Sequence, residues 1–193
     1  EKAIVGLTYG SDNYQKARVF YGDSSEQWGY WVDGLRYSAD GFKKLDSGGN
    51  TGFERNDINA KLQWNSARDA KYTQSLAIKI GYADEDSNET YLGLTDGDFA
   101  ASPTRRYAAS QLDNFVSDHQ QIHVLHSIEF NNGIELFTRA YNQTFARAWN
   151  KFDGFIPQGN NPTLPAQAVL SDPDLFPEHI GVLRGDLDSN GNT

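Results

Sequence analysis

The chain has no cysteine among its 193 residues, which excludes disulfide bonds and thiol chemistry. It also has no apolar run approaching the ~20 residues of a membrane-spanning helix, so any membrane span would have to be a β-strand. Positive charge is scarce, because 17 lysines and arginines stand against 26 aspartates and glutamates, giving a net charge of −9. This acidity argues against nucleic acid or anionic lipid surfaces as main partners.

The chain also lacks the motifs that mark common catalytic sites. It contains no HExxH, P-loop, dinucleotide-binding or Ser-His-Asp signature. Single carboxylates such as Asp57 lie among polar strand positions, and nothing in the sequence brings two of them together. We therefore expect no enzymatic activity and no cofactor.

What the chain does have is two-residue alternation of apolar and polar side chains. Between Asp57 and Trp64 every second residue is apolar, and the pattern recurs at 73–82 and 122–130. Successive side chains of a strand point to opposite faces, so each segment has one apolar and one polar face. The pattern predicts seven strands, at about 2–10, 13–22, 28–38, 54–65, 71–83, 117–130 and 134–147.

The connections between these strands are sorted by length. Those at 22–27, 65–70 and 131–133 are short, and the last, Asn131-Asn132-Gly133, is a strong hairpin signal. The connections at about 38–53 and 84–116 are long, as is the tail 148–193. Outer-membrane barrels have short periplasmic turns and long extracellular loops, whereas a soluble sandwich has no reason to sort its loops in this way. The sequence thus predicts an all-β, antiparallel up-and-down transmembrane barrel with 148–193 as an extracellular loop.

Aromatic residues flank the predicted periplasmic turns: Tyr21 and Trp28 the first, Trp64 and Tyr72 the second, and Phe130 the third. Such rings form girdles at membrane interfaces, although tryptophan and tyrosine are also simply good strand formers.

The alternation also assigns the two faces of the predicted strands. The residues expected to face lipid are Ile58, Leu62, Leu76, Ile78, Ile80, Ile122 and Val124. Those expected to line the interior are Asp57, Asn59, Lys61, Gln63, Lys79, His123, Glu135 and Arg139. Bacterial single-chain barrels have an even number of strands, so seven strands followed by a loop predict a part of a larger barrel.

One segment has the sequence SNETYLGLTDGDFAASP at 87–103 and continues, after Thr104, as RRYAAS at 105–110. It resembles an extracellular loop of TonB-dependent outer-membrane receptors, in particular those similar to the ferric dicitrate receptor. Residues 22–34 look like the second barrel hairpin of that family, and residues 118–123 like the strand that follows the loop. The resemblance extends to about Phe155.

The resemblance implies a 22-stranded barrel plugged by an N-terminal globular domain. Such receptors import ferric chelates, here ferric citrate or a similar siderophore, with energy from the TonB complex passed through a short N-terminal box. Residues 1–193 would then be a partial barrel domain in the bacterial outer membrane, contacting lipid and lipopolysaccharide, without the plug and the C-terminal strands. The alternatives are a porin-like diffusion channel and a soluble secreted β-domain that binds glycan or protein.

The long connection 84–116 is the best candidate for ligand binding. Thr95 and Asp98 have capping-box-like spacing, which predicts a short helix over 96–102 that ends at Pro103. Arg105 and Arg106 follow directly, and paired guanidiniums suit the carboxylates of an anionic ferric chelate.

We therefore expect Arg105 and Arg106, with Tyr107 and Tyr91 of the same stretch, to bind the ligand. The alternative is that the two arginines pair with the acidic run 84–86 of the same loop.

Two further groups of residues contain the types of side chain that bind metal ions. Asp186, Asp188 and Asn190 match the opening half of a calcium loop, but no flanking helix is predicted and such residues are ordinary turn formers. His119 and His123 share a strand face and His126 lies on the other, so the three do not converge on one ion. We expect no metal site.

Overall fold

The computed structural model describes residues 2–156 and 162–189. Its elements are, in chain order, β1 (Lys2–Tyr9), β2 (Gln15–Ser24), β3 (Trp28–Ala39), β4 (Lys44–Leu45), β5 (Phe53–Asn65), β6 (Thr73–Ser87), α1 (Asp96–Ala101), β7 (Arg105–Arg106), a 3-10 turn (Ala108–Ser110), β8 (Asn114–Glu129), β9 (Glu135–Asn150), β10 (Gly154–Phe155), β11 (Leu164–Pro165), α2 (Ala166–Ser171) and α3 (Pro177–Arg184). None of the helices in these described ranges is long and apolar enough to cross a membrane.

The seven long strands form one antiparallel sheet in the order β1-β2-β3-β5-β6-β8-β9. Each long strand pairs with the long strand that follows it in the chain, so the sheet is an up-and-down meander. In the first hairpin Val5 lies opposite Val19, and in the second Val19 lies opposite Gly34. The seven predicted strands are confirmed, and β9 runs three residues further than expected, to Asn150.

Tight turns join the strands where the sequence predicts them. Asp12 and Asn13 both have φ of 54°, the left-handed conformation that a two-residue hairpin turn requires and that these two residue types tolerate. At the last hairpin Gly133 has φ of 80°, and its N–H donates to the carbonyl of Phe130 at 2.9 Å. The antiparallel order places the three long connections, after β3, β6 and β9, at the same end of the strands.

The two faces of the sheet differ as the alternation predicts. A side chain at Gly81 would meet Asn59 and Gln121, so these positions share the polar face. The large apolar residues exposed on the opposite face include Val5, Leu7, Val19, Ile58, Leu62, Ile80 and Ile122. Of the seven predicted lipid-facing residues, Leu76, Ile78 and Val124 are half-buried and the other four are exposed.

His126 lies on the apolar face, and the structure gives it a partner there. Its Nε2 is 3.2 Å from Oε1 of Gln74, while the adjacent Ser127 contacts Ser75 at 2.8 Å on the polar face. His123 stacks on Tyr141, and His119 meets Phe145 edge-on. The predicted division of the three histidines between two faces is thus confirmed.

Aromatic rings pair across neighbouring strands at the short-turn end. Tyr21 lies 6.0 Å from Tyr30, Trp28 lies 6.5 Å from Trp64, and Tyr72 lies 5.3 Å from Phe130, measured between ring centroids. By strand alternation all six occupy the apolar face. Every aromatic residue that the sequence places beside a short turn belongs to one of these pairs.

By its contacts the chain divides into two compact units. The sheet unit comprises Glu1–Ser38, Glu54–Glu85 and Ser117–Arg147, and the connection unit comprises Ala39–Phe53, Asp86–Val116 and Ala148–Thr193. The connection unit is therefore built from the three long connections. Its buried core contains Leu92, Tyr107, Ala166, Val169, Ile180 and Leu183.

The prediction that 148–193 is only a loop is wrong. Beyond β9 the described residues form two short strands and two helices, and β10 pairs with β11. Val169 and Leu183 are fully buried in the core of the connection unit. Burial of these apolar side chains, each worth roughly 1.5–3 kcal/mol, orders this segment.

Candidate functional site

Arg106 lies in the interior of the connection unit, where only 1% of its surface is exposed. Its Nη1 donates to the carbonyl of Asn88 at 2.7 Å, and its Nη2 donates to that of Glu89 at 2.7 Å. Its Nε donates to Ser110 Oγ at 2.9 Å, and Nη2 also reaches the carbonyl oxygens of Ser110 and Asp113. Burial lowers the pKa of Arg106, and the ring of carbonyls keeps the guanidinium satisfied.

Tyr107 is buried to the same degree, with 1% of its surface exposed. Its hydroxyl donates to Oδ2 of Asp98 and accepts a hydrogen bond from the backbone N–H of Thr95 at 3.1 Å. The prediction that Arg106 and Tyr107 contact a ligand is therefore not supported by their positions. Both side chains are enclosed, and both use their polar groups to tie the connection unit together.

Arg105 points the opposite way from Arg106, as neighbouring residues of a strand do. Its Nε donates to both carboxylate oxygens of Asp46 at 3.0 Å, and its Nη1 donates to Asp98 at 2.9 Å. Its guanidinium carbon also lies 5.2 Å from the centre of the Tyr107 ring. Two carboxylates thus already hold this predicted ligand-binding arginine, although it is only half-buried.

The alternative, that these arginines pair with the acidic run 84–86, is also wrong. Asp84 accepts from Asn56 and Glu85 from Arg55, both in the sheet unit. Asp86 accepts from Asn114, in the connection unit. Of the two carboxylate partners of Arg105, Asp98 lies 7 residues away in the chain and Asp46 lies 59 residues away. A short-range sequence pattern could not identify Asp46.

Asp98 is the centre of this polar network. Besides Arg105 and Tyr107 it receives Nε and Nη2 of Arg184, at 3.0 and 2.8 Å. Asp98 thereby bridges the second long connection and α3, and Arg105 extends the bridge to Asp46 in the first connection. Burial alone raises the pKa of Asp98, but the hydrogen bonds from Tyr107 and Arg184 and the charges of both arginines outweigh burial and lower it.

Tyr91 belongs to a different group of side chains, and this group is open to solvent. Its ring is 56% exposed and meets the ring of Trp149 edge-on, with 4.6 Å between centroids. Trp149 in turn contacts Phe115, at 6.0 Å. The ammonium of Lys151 lies 4.9 Å from the centre of the Tyr91 ring. We call these four residues the aromatic–lysine group.

The chemistry of the aromatic–lysine group suits a ligand with both flat and anionic parts. The aromatic faces provide contact area with little loss of side-chain entropy, and the ammonium donates to acceptors or stacks over a ring. Asp153 accepts from Lys151 at 2.9 Å, and this hydrogen bond raises the pKa of the lysine. Lys151 is thus charged and held close to the rings.

Sequence reasoning identified Tyr91 and missed its three partners. Trp149, Phe115 and Lys151 lie 24 or more positions away in the chain, and they meet Tyr91 only in the fold. The available signal was their position near strand ends next to long connections, since Phe115 is the second residue of β8 and Trp149 the last but one of β9. Loop-proximal positions on rigid strands are a common place for binding residues.

The structure leaves the weak calcium-loop candidate incomplete. Asp186 follows the end of α3, where its backbone N–H donates to the carbonyl of Gly181 at 2.9 Å and Gly185 has φ of 84°. These are the bonds of a helix C-terminal turn, so the prediction that no helix flanks this segment is wrong. Asn190 lies outside the described residues. Within the described ranges no group of three or more histidine, aspartate or glutamate side chains is placed to hold a metal ion.

Comparisons with protein-family models, with curated proteins and with solved structures found no match to this chain.

Proposed function

We propose that this chain is the partial barrel of a TonB-dependent outer-membrane receptor that imports an anionic ferric chelate, ferric citrate or a similar siderophore. The proposal rests on the difference in exposed side chains between the two faces of the sheet. Large apolar side chains, such as Ile58 at 53% and Leu7 at 65%, are exposed on one face, whereas Asn59 and Gln121 lie on the opposite face. Exposing so much apolar surface to water is unfavourable, whereas a transmembrane barrel presents such a face to lipid.

The aromatic pairs at the short-turn end support the same proposal. Six rings on the apolar face, at the end where the turns are short, are what an interfacial girdle on the periplasmic side requires. The ammonium of Lys71 lies 5.0 Å from the centre of the Tyr72 ring. A lysine at this level can reach the head groups while its stem stays on apolar surface.

The open edges of the sheet indicate how the proposed barrel would continue. In the part of the chain that the structure describes, β1 and β9 each pair with a strand on one side only. An unpaired strand edge in lipid costs several kcal/mol per backbone group. We therefore propose that further strands of the 22-stranded barrel pair with β1 and β9, around an N-terminal plug that contacts the TonB complex.

The aromatic–lysine group is the proposed site of first contact with the chelate. It lies in the connection unit, which in this proposal faces the cell exterior. A chain with a net charge of −9 repels an anionic ligand, so a local positive group on the ligand's path is needed. Lys151, which pairs with Asp153, supplies a positive group beside the Tyr91 ring.

The test is the binding of radiolabelled ferric citrate to intact cells that carry the full-length receptor in the outer membrane. Lys151→Gln and Tyr91→Ala should each weaken binding about three- to tenfold, since an exposed cation–π or charge-assisted contact is worth roughly 0.5–1.5 kcal/mol. Lys71→Gln is the matched control, because it removes a lysine over a tyrosine ring at the short-turn end, and it should leave binding unchanged.

The outcomes separate the function from the site. If cells with the wild-type receptor bind no more ferric citrate than cells without it, the proposed ligand is wrong. The variants are compared with the wild type at equal receptor levels. If they bind it and both variants bind equally well, the function stands and the aromatic–lysine group is not the contact site. A chain that stays folded and monodisperse without detergent would instead favour the soluble β-domain.

A further inference from the structure

Four basic or titratable side chains from four successive strands of the sheet unit line one depression on the polar face. They are Lys61 of β5, Lys79 of β6, His123 of β8 and Arg139 of β9, and the depression has a volume of about 370 Å³. All four occupy positions of the polar alternation, so they project to the same side of the sheet. We call them the basic row.

The three permanent cations of the basic row are not neutralised by the protein. Three other arginines of the sheet have carboxylate partners: Arg18 pairs with Asp33 at 2.7 Å, Arg36 with Glu54 at 2.7 Å and Arg55 with Asp57 at 3.0 Å. Lys61, Lys79 and Arg139 make no ion pair with any residue in the described ranges. Like charges on neighbouring strands destabilise a sheet, and they are unexpected in a chain with nine more acids than bases.

Ala77, Val124 and Leu125 complete the lining of the depression, and two neighbours fix His123 in it. His123 is held by Gln143, whose Nε2 is 3.0 Å from its Nε2, and by stacking on Tyr141 with 5.9 Å between centroids. Lys61 also borders a neighbouring depression of about 480 Å³ that Lys2 shares. Cationic donors therefore approach this part of the polar face from several strands.

The basic row is positively charged, the depression that it lines is small, and its lysines and arginine make no ion pair within the described ranges. We infer from these three observations that the basic row binds a small anion carrying two or more negative groups. A depression of this volume holds a small molecule. Lysine and arginine recognise carboxylates and phosphates alike, so the shared chemistry is a compact polyanion. The inference is independent of which chelate the receptor imports, because it concerns the sheet unit and needs neither iron nor transport.

The test is isothermal titration of the full-length protein, folded in detergent micelles, with iron-free citrate, pyrophosphate and acetate. We expect citrate or pyrophosphate to bind and acetate to bind at least tenfold more weakly, because only a polyanion reaches several cations at once. The comparison of citrate with pyrophosphate separates carboxylate from phosphate ligands. Binding should weaken as salt is added, because salt screens the exposed charges.

The double variant Lys61→Gln/Lys79→Gln should bind the preferred polyanion about tenfold more weakly, which corresponds to roughly 1.4 kcal/mol. Lys16→Gln/Lys71→Gln is the charge-matched control, because it removes two positive charges outside the depression and should leave binding unchanged. Circular dichroism checks the sheet in each variant. Arg139→Gln, on the exposed strand β9, keeps the test decisive if the double variant does not fold.

Two results would overturn the inference. If the wild-type protein binds neither polyanion, the basic row does not bind a small anion, and an acidic protein segment is its partner instead. If the control variant loses as much affinity as the double variant, the attraction is the general effect of net charge and no site exists at the basic row.

Discussion

At the residue scale, the carboxylate of Asp98 carries the most connections in the connection unit. It accepts hydrogen bonds from Tyr107, Arg105 and Arg184, which come from two of the three long connections. Its folded-state pKa is lowered although burial alone would raise it. An acid with a lowered folded pKa stabilises the fold above its unfolded pKa, near 3.9, and this stabilisation is lost as the pH falls through the folded value.

We predict that Asp98→Asn destabilises the connection unit at neutral pH by about 1–3 kcal/mol, because two guanidiniums lose their charged acceptor. The variant should also lose less stability than the wild type on acidification below about pH 4, since the titrating group is gone. Hydrogen exchange of the connection-unit amides, read by mass spectrometry at several pH values, measures both effects. Asp96→Asn, an exposed acid in the same helix, is the control and should change the free energy of opening little.

If Asp98→Asn leaves both the neutral-pH protection and its acid dependence unchanged, Asp98 is not the centre of the network.

The sequence predicts where Arg105 and Arg106 lie in the chain but not how their side chains are oriented. It placed both arginines correctly after a short helix, but it could not tell which one faces inward. That choice depends on the carbonyls of Asn88, Glu89 and Ser110, which the fold brings around Arg106. An arginine surrounded by main-chain oxygens leaves no local pattern, because every residue has a carbonyl.

At the element scale, α1 forms where the capping signal predicts it. Thr95 is the N-cap, and its Oγ1 accepts from the backbone N–H of Asp98 at 3.2 Å. The helix runs over Asp96–Ala101 and ends at Ser102, immediately before Pro103. A helix of six residues has little intrinsic stability, so its cap and its packing determine whether it forms.

We predict that Thr95→Ala destabilises the connection unit by about 0.5–2 kcal/mol, the usual cost of losing an N-cap oxygen. Thr95→Ser keeps the hydroxyl and should retain most of the stability. Hydrogen exchange at the first-turn amides of α1 distinguishes the two variants. Equal protection in both would mean that the buried position of Thr95, and not its cap, holds the helix.

The long strands were predictable and the helices near the carboxyl end were not, for a physical reason. Strand alternation runs over 8 to 16 residues in this chain, so the pattern is repeated many times. Helices α2 and α3 span six and eight residues, and neither N-cap side chain makes a capping hydrogen bond. Each helix has only one or two turns, so both depend on burying residues such as Val169 and Leu183. The one local signal is in α3, which begins at Pro177 and is followed by Gly185 in the left-handed conformation.

At the scale of the whole molecule, the chain combines an acidic, polar composition with a sheet that exposes large apolar residues on one face. The mean hydropathy of −0.65 reflects the polar face and the long connections, while the apolar face is visible only in alternation. The closure of the sheet into a 22-stranded barrel, the plug and the transported ligand are proposals that rest on the resemblance. They involve more than the seven strands of this sheet. The central claim is that the apolar face contacts lipid.

The most direct test compares Ile58→Arg with Asn59→Arg in the full-length protein folded into lipid vesicles. The two positions are neighbours near the middle of β5 and face opposite sides of the sheet. An arginine on the lipid face at mid-depth costs roughly 2–4 kcal/mol, so Ile58→Arg should lower the free energy of unfolding by about that amount, measured by chemical denaturation. Asn59→Arg, on the polar face, should change it by less than about 1 kcal/mol. If the two variants are equally stable, or if Asn59→Arg is the more damaging, the apolar face does not contact lipid.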